Sequence, residues 1–168
     1  MNSKRFTMPK THRLILSLLT LIAMTFLPNT TLACSQPNNL NTITLELIEV
    51  INATRIQHNV PKLNHNRILA NSAQNYACVN ARRERMSHTG VANDSPGDRL
   101  LQAGYDYSYA GENLAMGFVD PQVVLNAWMR SPTHREILLD PRAQDIGIGI
   151  ALEKTGRWQW TMHTGRMR

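Results

Sequence analysis

Five residues near the C-terminus, Ile146-Gly147-Ile148-Gly149-Ile150, constrain the fold more than any other stretch. Alternation at period two reads as a β-strand. It carries three β-branched side chains on one face and bare backbone on the other. Glycines on that face let another backbone or a helix approach closely. A turn around Thr155-Gly156 leads to a second alternating run, Trp158, Trp160 and Met162. The two runs make a hairpin.

Helical periodicity fills most of the preceding sequence. Ile43, Leu47, Ile48 and Ile51 form a stripe that predicts a helix over 42–58, stopped by Asn59 and Pro61. A second helix fits 66–86, with Leu69, Ala73, Tyr76, Ala77 and Ala81 on one face and Arg82, Arg83, Glu84 and Arg85 mostly solvated. Ser95-Pro96 opens a short third helix, Ser95 as cap and Pro96 in the first turn, ending at Gly104. Tyr105, Tyr107 and Tyr109 alternate as in a strand. A fourth helix starts near Pro121 with Val124, Ala127 and Trp128 inward. Helices interspersed with strands, closed by an antiparallel pair, predict an α+β domain whose sheet is covered by helices on both sides.

The chain has 168 residues, the size of one domain, and its first segment reads as a targeting signal. Lys4, Arg5, Lys10 and Arg13 form a basic region ahead of the apolar run Leu14–Leu27. That run is shorter than the roughly 20 residues that span a bilayer and suits a signal peptide. Pro28 breaks it, and Thr31-Leu32-Ala33 offers a cleavage site after Ala33. Residues 1–33 are thus an expected signal peptide, 34–41 a lead-in and 42–168 a single domain, secreted or periplasmic. No membrane-spanning segment is expected after cleavage. The alternative is a lipid anchor on Cys34; Thr31 and the polar stretch Pro28–Thr31 speak against it.

Four of the 18 basic residues and none of the 12 acidic ones lie in that segment, so the remaining domain carries a net charge of only +2. The high isoelectric point of the whole chain therefore gives no reason to expect a nucleic-acid partner. The two cysteines, Cys34 and Cys78, would meet an oxidising compartment after export, where a pair usually closes. Such a bridge would close a loop of about 45 residues and contribute roughly 3–4 kcal/mol. The alternative leaves Cys78 as a buried free thiol beside a lipidated Cys34.

Two histidines stand out among residues able to carry chemistry. His88 follows the second helix in Ser87-His88-Thr89-Gly90, and His134 lies at the third position of a helix opened by Ser131-Pro132. The positive end of that helix should disfavour protonation of His134. Glu112, in Gly111-Glu112-Asn113 just after the tyrosine strand, is the nearby carboxylate. His58 and His65 look solvent-facing, while His163 is either exposed or directed to a site. Ser131, His134 and Glu112 supply the residue types of a hydrolase triad, but capping already explains Ser131 and no Gly-x-Ser-x-Gly elbow is present. No His-Glu-x-x-His helix exists either. Two separated histidines and one carboxylate suit a partial zinc site completed by water.

Taken in order, Ile51-Asn52-x-x-Arg55, Ser87-His88, Gly104-Tyr105, Gly111-Glu112-Asn113, Trp128-x-x-Ser131-Pro132-x-His134-Arg135, Ile146-Gly147-Ile148-Gly149 and Trp158-x-Trp160-Thr161 resemble the CAP superfamily, in its short bacterial branch. This superfamily comprises the cysteine-rich secretory proteins, antigen 5 and pathogenesis-related proteins, and its module is also called the SCP domain. The resemblance spans roughly 42–164. It implies a three-layer α-β-α sandwich with a central cleft. His88, Glu112 and His134 match three of the four cleft positions that hold two histidines and two glutamates in eukaryotic members; the fourth is Ser131 here.

By that resemblance His88 and His134 are the ligands for zinc or another divalent cation, and Glu112 is the residue to orient one imidazole or to serve as a catalytic base. The ligand expected outside the cell is a lipid, a wall component or a protein, bound by a monomer. A purely structural His/Glu cluster is the remaining alternative.

Overall fold

The computed structural model describes residues 34–168. The expected signal peptide and its cleavage site lie outside them. Among the described residues, helices α1 (Leu40–Gln57), α2 (Arg67–Arg83), α3 (Pro96–Gln102), α4 (Pro121–Arg130) and α5 (Pro132–Leu138) surround strands β1 (Asn64–His65), β2 (Tyr107–Met116), β3 (Asp145–Leu152) and β4 (Trp158–Met167). The sheet order is β1-β3-β4-β2. The short β1 pairs in parallel with β3, whereas β3–β4 and β4–β2 are antiparallel. This is the expected α+β sandwich.

The Ile/Gly alternation of β3 divides the layers. Ile146, Ile148 and Ile150 point into the main core with Ile43, Leu47, Ile48 and Ile51 of α1, Val124, Leu125 and Trp128 of α4, and Leu138 of α5. Gly147 and Gly149 face the other way, against α2. A Cβ added to Gly147 would collide with the Ala70 nitrogen, and one on Gly149 would collide with the Ala73 carbonyl carbon. The helix backbone therefore lies directly on the strand, as the bare face predicts. Leu69, Leu100 and Tyr105 fill a second cluster on this side.

Helix boundaries follow local chemistry. Asn66 caps α2 by accepting from the Ile68 and Leu69 amides. The helix stops at Arg83, short of the expected residue 86, because Glu84 turns left-handed at φ 48°. Ser95 and Asp98 form a reciprocal capping box at α3. Ala127 is only half-buried; Leu125 takes the inward position beside Val124 and Trp128.

Two ties fasten the periphery. Arg55 is fully buried and donates to the carbonyls of Pro61 (2.7 Å), Leu138 (2.7 Å) and Asp140 (3.2 Å), linking α1 to the segment after α5. Cys34 is disulfide-bonded to Cys78 of α2 with a Cα separation of 5.5 Å, as expected for an exported domain.

Candidate functional site

Glu112 lies within β2 rather than just after a strand. Its glycine and asparagine neighbours look like turn formers in sequence, but tertiary contacts require both. A Cβ on Gly111 would meet Thr164 Oγ1 at 2.7 Å and Ile137 Cγ2 at 2.8 Å. Asn113 is buried and donates to the His134 carbonyl at 2.9 Å, which ties the start of α5 to the sheet. Tyr107 and Tyr109 do not share one face either. A register shift between them sends Tyr107 to the α2–α3 side and Tyr109 to the main core.

The Glu112 side chain points toward α2 and α3 and is 1% exposed. Three groups meet it. His88 Nδ1 contacts Oε1 at 2.7 Å; Arg99 donates to Oε2 at 2.6 Å; and His163 Nε2, from the cross-strand partner on β4, contacts Oε2 at 2.9 Å. A carboxylate only accepts, so each imidazole nitrogen facing it carries the proton. Burial alone would raise the Glu112 pKa. The hydrogen bonds from His163 and His88 and the charges of His163 and Arg99 outweigh it and hold the value at about 2.

Arg99 is itself fixed. It donates to Asp94 Oδ2 (3.0 Å), to the Asp94 carbonyl (2.9 Å) and to the His88 carbonyl (3.1 Å), and its guanidinium carbon lies 3.4 Å from the Tyr76 ring centroid. Tyr76 in turn donates to the Ser87 carbonyl at 2.5 Å, so the backbone entering His88 is held from two sides. His88 remains 55% exposed at its side chain. Glu112 thus holds Nδ1 while the other edge of the ring stays open to solvent.

The remaining predicted site residues are placed differently. His134 is half-buried in the first turn of α5, held at its carbonyl by Asn113. Its pKa is lowered, first by burial and then by the nearby charge of His88. It makes no hydrogen bond to Glu112 among the described residues. Ser131 occupies the cap position of α5 but forms no side-chain cap bond. His163, open in the sequence reading, is fully buried and part of the cluster; His58 and His65 are exposed as expected.

Sequence reasoning missed Arg99, Asp94 and Tyr76 as members of this cluster. The available signal was an arginine on the inward stripe of α3, beside Leu100.

A cavity of about 560 Å³ adjoins the cluster, with His88, Gly97, Tyr107, Glu112, Ile137 and Arg142 in its lining. Both Glu112 oxygens are already occupied. Among the described residues no three His, Cys, Asp or Glu side chains gather to hold an ion. Of the two imidazoles expected to hold a divalent cation, His88 lines this cavity and His134 does not, so these residues leave most coordination positions of such an ion to water.

Comparison with known proteins places this arrangement. Residues 48–163 match the Cysteine-rich secretory protein family, CAP, and the chain belongs to that family. YkwD of Bacillus subtilis is 30% identical over 115 residues, covering 68% of this chain and 45% of that protein. An extracellular protein containing an SCP domain from Bacillus anthracis superposes with a TM-score of 0.70 at 25% identity, over 76% of this chain and 41% of the other. An outer surface protein from Borrelia burgdorferi gives 0.69 at 23% identity, covering 74% and 92%; at that identity the likeness concerns the fold. The chain spans less than half the length of the first two.

Proposed function

We propose that the protein acts outside the cytoplasmic membrane as a binding protein. Its cleft, with His88 and Glu112 in the wall and His134 at the neighbouring start of α5, takes a divalent metal such as zinc together with an extracellular ligand (a lipid, a wall component or a protein). The observation that carries this reading is the geometry of Glu112: a buried, ionised carboxylate fixes the His88 tautomer through Nδ1 and leaves Nε2 as the ligating nitrogen. Carboxylates behind metal-binding histidines act in this way. Burial lowers the pKa of His134 and so favours the unprotonated imidazole, the form that can donate a lone pair. A divalent cation bound there would supply positive charge toward a carbonyl or phosphoryl oxygen of the ligand.

Export is supported by the apolar segment near the N-terminus and by the closed Cys34–Cys78 bridge. With its sulfur engaged, Cys34 favours a freed N-terminus over a lipid anchor. No helix among the described residues is long and apolar enough to cross a membrane.

A metal-assisted hydrolase with Glu112 as general base draws less support. A base must reach its proton and have a pKa near the working pH. Glu112 is enclosed, has both oxygens engaged and is held at about 2. Part of the cluster is structural, since Arg99 and His163 are buried around the same carboxylate.

Calorimetric zinc titration after chelator treatment tests the reading. Saturable one-to-one uptake lost in His88→Ala and in His134→Ala is expected. A folded wild type that takes up no zinc would overturn the metal assignment.

A further inference from the structure

The cavity beside Glu112 runs along the free edge of the sheet. Among the described residues strand β2 is the terminal strand, with β4 on one side only. The cavity wall includes Tyr109 and Gly111 as well as Ala110 and Glu112. Residues of opposite parity on one strand point to opposite faces, so a pocket lying on a single face cannot reach both sets. It straddles the edge, with Gly97 and His88 bounding it from the α2–α3 side and Ile137 from the main-core side.

Hydrogen bonding shows which main-chain groups open into this groove. Gly165, paired with Ala110 across the ladder, gives its carbonyl to the Gln144 amide on the far side. In an antiparallel ladder the N–H and C=O of one residue point the same way, and directly opposed residues alternate between bonded and unbonded pairs. The Ala110–Gly165 pair is therefore unbonded, and the N–H and C=O of Ala110 turn away from β4. Alternation gives Glu112 and Leu114 the same outward orientation. Leu114 bears this out, because its carbonyl accepts from the Trp128 indole at 2.8 Å on the outer side. That bond closes one end of the groove. Outside the ladder, no hydrogen bond reaches the main chain of Ala110 or Glu112 among the described residues.

We propose that this groove binds an extended polypeptide segment, which adds to the sheet as a strand by pairing with the outward main-chain groups of Ala110 and Glu112. The inference rests on reading the cleft as a binding site and names its ligand class. Two donor–acceptor pairs repeat at the two-residue spacing of a strand, and another extended backbone matches that repeat group for group. A sugar or a lipid headgroup offers no such periodic pairing. His88 stands at the wall, where it meets a side chain or terminal group of the bound segment.

The test uses protein purified from the full-length chain. It is panned against a randomised heptapeptide library, and the enriched peptide is titrated in while amide exchange is followed by NMR. The expected result is saturable binding that slows exchange at the Ala110 and Glu112 amides, with no change at Gly111, whose amide already serves the ladder. Methylating alternate amides of the peptide should weaken binding at least tenfold on the face that pairs, and Ala110→Pro should do the same. Proline there removes only the outward donor, the position at which edge strands tolerate it. If that variant misfolds, the methylated peptide and the exchange map still decide.

Three results would overturn the proposal: no peptide enriched, binding that leaves the Ala110 and Glu112 amides unprotected, or indifference to backbone methylation. Zinc uptake is read separately. Zinc binding without peptide binding would remove strand addition and leave the metal reading; peptide protection without zinc uptake would do the reverse.

Discussion

Glu112 and His163 face one another across the β2–β4 ladder, Oε2 to Nε2 at 2.9 Å, both buried. The sheet itself sets this contact. The same oxygen accepts from Arg99, and the other meets His88. One carboxylate therefore joins two strands, the short helix α3 and the loop after α2. It also aims the exposed ring of His88.

Replacing Glu112 by glutamine keeps the size and removes one of the two carboxylates paired with Arg99, the other being Asp94 at 3.0 Å. Breaking a buried ion pair outright costs about 3–5 kcal/mol; with Asp94 still in place the loss should fall toward the lower end of that range. The variant should unfold at markedly lower denaturant concentration. A change below about 1 kcal/mol would show that the Arg99–Glu112 contact carries little.

Gly147→Ala tests the close approach of α2 to β3. The added Cβ meets main-chain atoms of Leu69 and Ala70, which have no rotamer with which to yield. Overpacking of this kind costs about 1–3 kcal/mol or more. Gly156→Ala meets nothing within 4 Å and bears only the penalty of its φ of 80°. Thermal melts should rank Gly147→Ala well below Gly156→Ala.

Arg55→Lys preserves the charge but offers one nitrogen where the guanidinium reaches four carbonyls, those of Pro61, Leu138, Asp140 and Ala143. Each hydrogen bond from a charged donor contributes about 1.5–3 kcal/mol. A loss of about 2 kcal/mol or more is expected in chemical unfolding, although the residue is distant from the cleft.

Reducing the Cys34–Cys78 bridge releases a loop of 44 residues from its constraint. By the chain-entropy relation the cost is about 4 kcal/mol. A clear drop in melting temperature with reductant, absent in a Cys34→Ala/Cys78→Ala double variant, is the expected result.

Much of this fold was legible because its determinants are local. The α1 stripe, the Ser95 cap and the Ile/Gly alternation each act within a few residues, and all appear where the sequence predicts them. The site was legible in part. His88 and Glu112 were named and do meet. The cluster's remaining members depend on register. Nothing local opposes His163 to Glu112; that follows from how β4 aligns on β2. Arg99 reaches Glu112 only because α3 docks beneath the strand. Gly111 and Asn113 misled for a related reason: each is chosen for a tertiary contact, with Ile137 and His134 respectively, and not for a turn.

NMR titration of the Glu112 carboxyl carbon distinguishes an ionised anchor from a proton-transferring group. The folded pKa of about 2 lies below the ordinary 4.5. Glu112 therefore contributes stability that is fully present above pH 4.5 and lost as pH falls toward 2. Its resonance should stay at the ionised position down to the acid unfolding transition, which the carboxylate helps to set. A midpoint at or above 4.5 in the folded protein would contradict this and restore Glu112 as a candidate base.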